Sequence, residues 1–267
     1  MALDDIVTKE QRQRMKQQPK ILLFDIETAP NLAYVWGKYE QNAIAFESEW
    51  YMLSFAWKWS GDKKVQARSL PDYRGYNKNP MDDSAMLKDL HSLFDEADVI
   101  VAHNGDQFDI KKTNARFIIN GLHPPAPYKT IDTKKVAKKY FNFTSNSLND
   151  LGQNLNLGKK LPTGGFDLWL GCMQGDQKSW DKMVKYNKMD VELLEKVYET
   201  MKPWMTNHPH VGLYQGKACA CPNCGGEDLQ KRGFSYTRTG KYQRLQCLDC
   251  SAWSQQRKGE KVYNEVK

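Results

Sequence analysis

A chain of 267 residues has room for one good-sized domain and a small companion. Its composition, 40% hydrophobic and 27% charged, is that of a soluble protein, and no apolar run approaches the roughly 18 residues of a membrane span. The polar start MALDDIVTKEQRQRMKQQPK lacks the apolar stretch of a secretory signal. A cytoplasmic, reducing setting with no membrane partner is therefore expected, in which clustered cysteines serve metals rather than disulfides. The net charge of +7 is uneven: residues 217–267 carry ten Lys/Arg against five Asp/Glu. A basic tail on a near-neutral body fits a polyanionic partner, and equally a solvated terminus.

In chain order, residues 1–19 read as a charged lead-in and 20–26 as a strand that runs into FDIETAP, residues 24–30. Strands are expected at 51–59 and 64–70, in positions that suit neighbours. Helical periodicity over 82–96 puts Met86, Leu87, Leu90, Leu93 and Phe94 on one face. A buried strand follows at 98–103, then a helix over 106–120 stopped by Gly121 and Pro124. Ser147 and Asp150 are spaced as a capping box. The longest helix is expected over 176–202, ended by Pro203. Strands first, then alternating helix and strand, predict an α/β fold with a mixed sheet flanked by helices over 20–205. Residues 206–217 read as a linker, 218–255 as a small cysteine-rich module and 256–267 as a polar tail.

Asp25 and Glu27 alternate with apolar residues, so both point to one side of their strand. Like charges that close disfavour joint ionisation unless a cation lies between them. Further acids stand near apolar elements: Asp106 and Asp109 after the strand ending at His103, and Asp190 one helical turn after Tyr186.

FDIET, then Asn104-Gly-Asp-Gln-Phe108-Asp109, then Tyr186-Asn-Lys-Met-Asp190 resemble, in order, the three motifs of the DnaQ-like 3′–5′ exonucleases of the DEDDy branch. This group includes the proofreading domains of DNA polymerases. The sister branch has a histidine five residues before the last Asp, where this chain has Lys185. Thr130-Ile-Asp132-Thr133 and Ser147-Leu-Asn-Asp-Leu151 resemble the segment between the second and third motifs. The resemblance covers residues 20–203 and implies a ribonuclease H-like fold. It implies two Mg²⁺ or Mn²⁺ ions, Asp25 bridging both, Glu27 and Asp190 completing the first site, and Asp109 supporting the second through water. Tyr186 would orient the attacking water, and Thr28 and Asn104 would touch the nucleic acid. Such a pair of ions can activate a water and stabilise a leaving oxygen, and hard cations take oxygen ligands. Asp106 is the alternative to Asp109 in the second motif, but the N-x(3)-F-D spacing favours Asp109 and leaves Asp106 as a helix-start residue, and Asp132 reads as a helix N-cap rather than a ligand. His103 reads as a strand-end residue, Cys172 as a buried or free thiol, and Lys159 and Lys160 as phosphate contacts or a solvated pair.

Cys221-Pro-Asn-Cys224 and Cys247-Leu-Asp-Cys250, 22 residues apart, predict one structural Zn²⁺ in a tetrahedral site. Cys219 is a second option for the first ligand. The spacer alternates around a turn expected at Thr239-Gly240, and the segment resembles zinc ribbons of transposase-like and other DNA-binding proteins. Lys231, Arg232, Arg238, Lys241 and Arg244 are candidate phosphate contacts. Phe234, Tyr236, Tyr242 and Trp253 would stack on bases or form a small core. The expected activity is metal-dependent 3′–5′ hydrolysis of single-stranded DNA ends, with RNA ends or catalytically silent binding as rivals. A polymerase or replication and repair proteins are candidate partners, and a compact nuclease of this kind suits a virus or mobile element. The oligomeric state is not legible.

Overall fold

The computed structural model describes residues 18–39, 42–217, 219–238, 240–256 and 258–261. The lead-in 1–17, Thr239 of the expected turn and the end of the polar tail lie outside them. The chain divides into two compact units, one of residues 20–138 with 142–197, the other including 139–141 and the residues from 198 onward.

In the first unit β1 (Ile21–Thr28) is followed by a separate hairpin of β2 (Leu32–Tyr34) and β3 (Ala45–Ser48), then by β4 (Met52–Trp59) and β5 (Gln66–Ser69). Helix α1 (Ser84–Glu96) leads to β6 (Val99–Ala102), α2 (Asp109–Ile119) and β7 (Lys129–Asp132). Then come α3 (Thr133–Tyr140), α4 (Leu148–Asn154), α5 (Asp167–Met173) and the long α6 (Gln177–Met201). The sheet order is β5-β4-β1-β6-β7. The β1–β4 and β4–β5 pairs are antiparallel, while β1–β6 and β6–β7 are parallel. β1 therefore lies at the centre of a mixed sheet, which explains its continuous apolar run: a strand covered on both faces has no solvent side.

The two faces of β1 part company along the strand. Leu22, Phe24 and Ile26 join the core formed with Met86, Leu87, Leu90 and Phe94 of α1 and Phe117 of α2. Phe24 meets Phe94 edge-on at 5.0 Å, and Phe94 meets Phe117 at 5.6 Å. Each such fully buried side chain stabilises by about 1.5–3 kcal/mol relative to exposure. The alternate residues Asp25 and Glu27 face the other way, opposite Ala56 and Ser54 of β4. A buried ion pair supports the start of β4: Asp83 accepts from Met52 N at 2.9 Å and from Arg116 Nε and Nη2 at 2.8 and 2.6 Å.

The elements expected from periodicity are present, with ends shifted by one to three residues. The helix expected from 106 starts at Asp109 instead, because residues 104–108 form a tight turn. Asn104 there is left-handed, with φ of 65°. A Cβ on Gly105 would come within 2.4 Å of the Ala102 Cβ, so only glycine allows this approach. Ser147 caps α4 by accepting from Asp150 N at 3.1 Å, but the expected box does not close, because Ser147 N donates to Ser145 Oγ and Asp150 Oδ2 accepts from Ser147 Oγ instead.

The second unit begins with the last turn of α6. Tyr198 and His208 are buried together, the phenol hydroxyl 2.8 Å from His208 Nε2. His208 Nδ1 lies 2.7 Å from Pro209 O and so carries the proton. Burial pushes this imidazole down to about 4, which keeps it neutral. Within 206–217 a short helix, α7 (Val211–Tyr214), buries Val211. The ribbon then forms β8 (Leu229–Tyr236), β9 (Gly240–Cys247), β10 (Trp253–Gln255) and β11 (Glu260–Lys261), all paired antiparallel to β9. Asn223, between the first two ribbon cysteines, is buried and donates through Nδ2 to Lys202 O at 2.6 Å and to Met205 O at 3.0 Å.

Among the described residues, no helix is long and apolar enough to cross a membrane.

Candidate metal centres and nucleic-acid cleft

The C-terminal end of β1 carries Asp25 and Glu27 to the buried side of α6, where Asp190 meets them. One oxygen from each of the three lies within 4.8 Å of the others. Asp109, the first residue of α2, is brought against the same strand by the Asn104-Gly105 turn, and its Oδ1 accepts from Ile26 N at 3.4 Å. Asp106 instead pairs with the exposed Lys135 at 2.7 Å. Of the two acids in this motif, only Asp109 reaches β1. Asp132 Oδ1 accepts from Asn104, Lys134 and Lys135 N–H at 3.0–3.3 Å, which caps α3 and holds the turn. His103 lies between Thr133 Oγ1 and Asn146 O, and burial pushes it down to about 4, so it is neutral.

All four carboxyls are displaced upward. Burial, reinforced by Asp109, Glu27 and Asp190, lifts Asp25 well above the usual carboxylate range. Burial and the Asp190 charge push Glu27 up to about 8. Burial pushes Asp109 up to about 7 and also raises Asp190, against the pull of Lys160. Four acids that resist joint ionisation are what a divalent cation would relieve. The donor set is all oxygen, as Mg²⁺ or Mn²⁺ requires. Asp190 Oδ1 is also buried with no hydrogen-bond partner. The residues fit the ions.

Two further side chains reach this cluster. Lys160 donates to Asp190 Oδ2 at 2.6 Å and to the Tyr186 hydroxyl at 3.0 Å. Burial alone would lower this ammonium, but Asp190 outweighs it and holds Lys160 above its ordinary range. Lys159, its neighbour, is exposed. Burial and the Asp190 charge raise Tyr186, so its phenol keeps its proton while its oxygen accepts from Lys160. The second newcomer is Asn187, whose Nδ2 donates to Asp25 Oδ2 at 2.6 Å. Sequence reasoning assigned Lys160 no place at the carboxylates because it comes from an irregular loop. It passed over Asn187, although that residue directly follows Tyr186.

A cleft of about 500 Å³ opens beside the cluster, lined among others by Thr28, Trp50, Phe108, Lys112, Phe166 and Trp169. Lys112 Nζ sits 3.7 Å from the Trp50 ring centroid, and Trp169 meets Tyr186 edge-on at 6.2 Å. Asn104 belongs to the turn and does not line this cleft. A larger, apolar hollow of about 630 Å³ runs along Phe117, Ile118, Leu122 and the following prolines, without any of the clustered acids.

The ribbon brings Cys221, Cys224, Cys247 and Cys250 together with every Sγ within 4.8 Å. Cys221 and Cys250 are 3.6 Å apart, Cys224 and Cys247 3.7 Å. A tetrahedron of thiolates with bonds of about 2.3 Å has corners about 3.8 Å apart, so the four fit zinc. Cys219 is exposed and outside the cluster. The ribbon's buried core is Cys221, Cys247 and Ala252. Phe234, Tyr236 and Trp253 are 39%, 71% and 49% exposed, so they do not form its core. Lys231, Arg232, Arg238 and Arg244 are exposed, and Lys241 Nζ lies 4.0 Å over the Phe234 ring.

A family model described as the RNase_H superfamily matches residues 51–202. That span takes in Asp109, Tyr186 and Asp190, while β1 with Asp25 and Glu27 precedes it. A family B DNA polymerase from the hyperthermophilic archaeon Pyrobaculum calidifontis is similar in structure, with a TM-score of 0.53 and 14% identity. The similarity covers 84% of this chain and 32% of the polymerase chain, and at that identity it speaks to the fold alone. No curated protein matches the chain in sequence. The mixed five-stranded sheet with its flanking helices and the family match over more than half of the residues give one conclusion: the chain belongs to the RNase_H superfamily.

Proposed function

We propose that this chain is a DnaQ-like 3′–5′ exonuclease of the DEDDy type that hydrolyses single-stranded DNA with two divalent cations. The observation that carries this reading is the cluster of Asp25, Glu27 and Asp190, with Asp109 against the same strand and all four carboxyls pushed upward. Mg²⁺ or Mn²⁺ held there would supply an ionised water and neutralise the leaving oxygen. The chain's own groups do the rest. Tyr186, protonated and within 3.0 Å of Lys160, donates a hydrogen bond that orients the water and does not take its proton. The aromatic cleft has the size and stacking surfaces for a terminal nucleotide, and its Lys112 supplies a cation for the backbone. The ribbon's exposed aromatics and basic residues would bind nucleic acid in their own right. The units assigned are an exonuclease domain over 20–205 and a zinc ribbon over 218–255 that acts within a cell, in trans to a polymerase or repair assembly.

The test is incubation of the full chain with 3′- or 5′-labelled DNA and RNA strands in Mg²⁺ or Mn²⁺. Stepwise shortening from the 3′ end of DNA is expected. Shortening of RNA alone would make the protein an exoribonuclease, and binding with no shortening under any metal would make it a silent binder. The ribbon has its own measurement. Replacing Lys231, Arg232 and Arg244 by Ala should lower the slope of log affinity against log salt by about 2, since each single-strand phosphate contact contributes about 0.7. An unchanged slope would give the ribbon another task.

A further inference from the structure

Asn187 is wholly buried among apolar neighbours on α6. A buried amide costs stability unless each of its polar atoms is matched, and this one is matched by the reaction site. Nδ2 donates to Asp25 Oδ2 at 2.6 Å and to Asp25 O at 3.3 Å. Oδ1 accepts from Ser54 Oγ at 3.1 Å. Ser54 is itself fully buried and stands opposite Glu27 in the β1–β4 register. The amide cannot usefully turn over, because its oxygen would then face the Asp25 carboxylate. Side chains alone thus link α6, β1 and β4, and both ends of the link lie at the acids.

A purely structural polar bridge would be a poor choice here. An apolar residue of similar volume would tie the helix to the sheet without desolvating an amide and a hydroxyl. What an apolar residue cannot do is hold a carboxylate by a short, charge-assisted bond. We propose that Asn187, anchored by Ser54, is a positioning residue that fixes the Asp25 carboxylate for cation binding. The inference rests on the exonuclease reading and adds to it a requirement for two uncharged residues.

The experiment uses the full chain with its zinc loaded and Mn²⁺ as the probe, read by electron paramagnetic resonance and by calorimetry. Asn187→Ala is expected to weaken Mn²⁺ binding at the carboxylates by about 10–100-fold and to lower kcat in proportion, as loss of a ligand's supporting hydrogen bond does. The KM for a labelled strand should stay within about twofold, since no strand contact is removed. Ser54→Ala should shift both quantities in the same direction by less. Asn187→Leu, of similar volume but without a donor, should weaken Mn²⁺ binding and lower kcat as Asn187→Ala does. If Asn187→Ala does not fold, Ser54→Ala and Asn187→Leu decide. Folded variants with wild-type Mn²⁺ affinity and kcat would overturn the positioning role and leave the exonuclease reading standing. A wild-type protein that takes up no Mn²⁺ at this cluster would overturn both.

Discussion

Asp25→Ala is expected to lower metal-dependent strand shortening by about 10³-fold or more while the protein stays folded. The size follows from the several kcal/mol of charge stabilisation that a correctly held cation gives a transition state, at about 1.4 kcal/mol per tenfold. The fold should survive because Asp25 is not a source of stability in the metal-free protein. Burial and three neighbouring acids oppose its ionisation. Alanine there removes a group whose ionisation the fold opposes, so the variant should lose less stability than the wild type as pH rises. The wild-type pH dependence carries the same sign. Glu27 and Asp109 hold protons up to about 8 and about 7, whereas the unfolded chain releases them near 4. Across that window the folded state binds more protons, so stability falls as pH rises from about 4 to about 8, and the loss is complete above the folded values. Mg²⁺ or Mn²⁺ should reverse the decline, with affinity that rises over the same window because the ligands must ionise. Calorimetric melts from pH 4 to 9, with and without Mn²⁺, give the check. Near-normal turnover by folded Asp25→Ala would sink the metal assignment.

Cys247→Ser, or a strong zinc chelator, is expected to unfold the ribbon. Its buried core is three small residues with Cys224, Leu229 and Cys250 packed around them, too little apolar area to hold four strands. Structural zinc in comparable small modules contributes an apparent 10–16 kcal/mol or so near neutral pH, larger than any single contact in the module. In the metal-free state burial pushes the Cys224 thiol up to about 11 and raises Cys250 as well, so zinc uptake should release protons. One equivalent of zinc per chain, loss of amide protection across β8 and β9 on its removal, and recovery on its return are the expected results. A ribbon that keeps its protection without zinc would refute the role of the four thiolates.

Much of this arrangement was legible because the informative residues recur at the period of their element. Asp25 and Glu27 share a side because strands alternate, and Tyr186 and Asp190 share a side because helices turn. Met86, Leu87, Leu90 and Phe94 marked α1 for the same reason. The elements that sequence reasoning passed over lack such a period. β7 is four residues long with one clearly apolar member, α5 is short, and the β2–β3 hairpin exposes Tyr34, Trp36 and Phe46, so no buried face marks it. At the site, Lys160 was out of reach for a different reason. A loop residue's approach to Asp190 depends on the path of the whole segment 155–166, which spacing does not encode. Asn187 was readable in principle, since a polar residue at a buried helix position needs a partner.

Asn223 gives the zinc module a reach beyond its own strands. Its two donated hydrogen bonds go to the carbonyls of Lys202 and Met205, at the two ends of the short turn that follows α6. A residue of the metal knuckle thus braces that turn, beside its own bond from Met205 N to Lys202 O. Opening of that turn and escape of the ion are therefore linked events, and each should hasten the other.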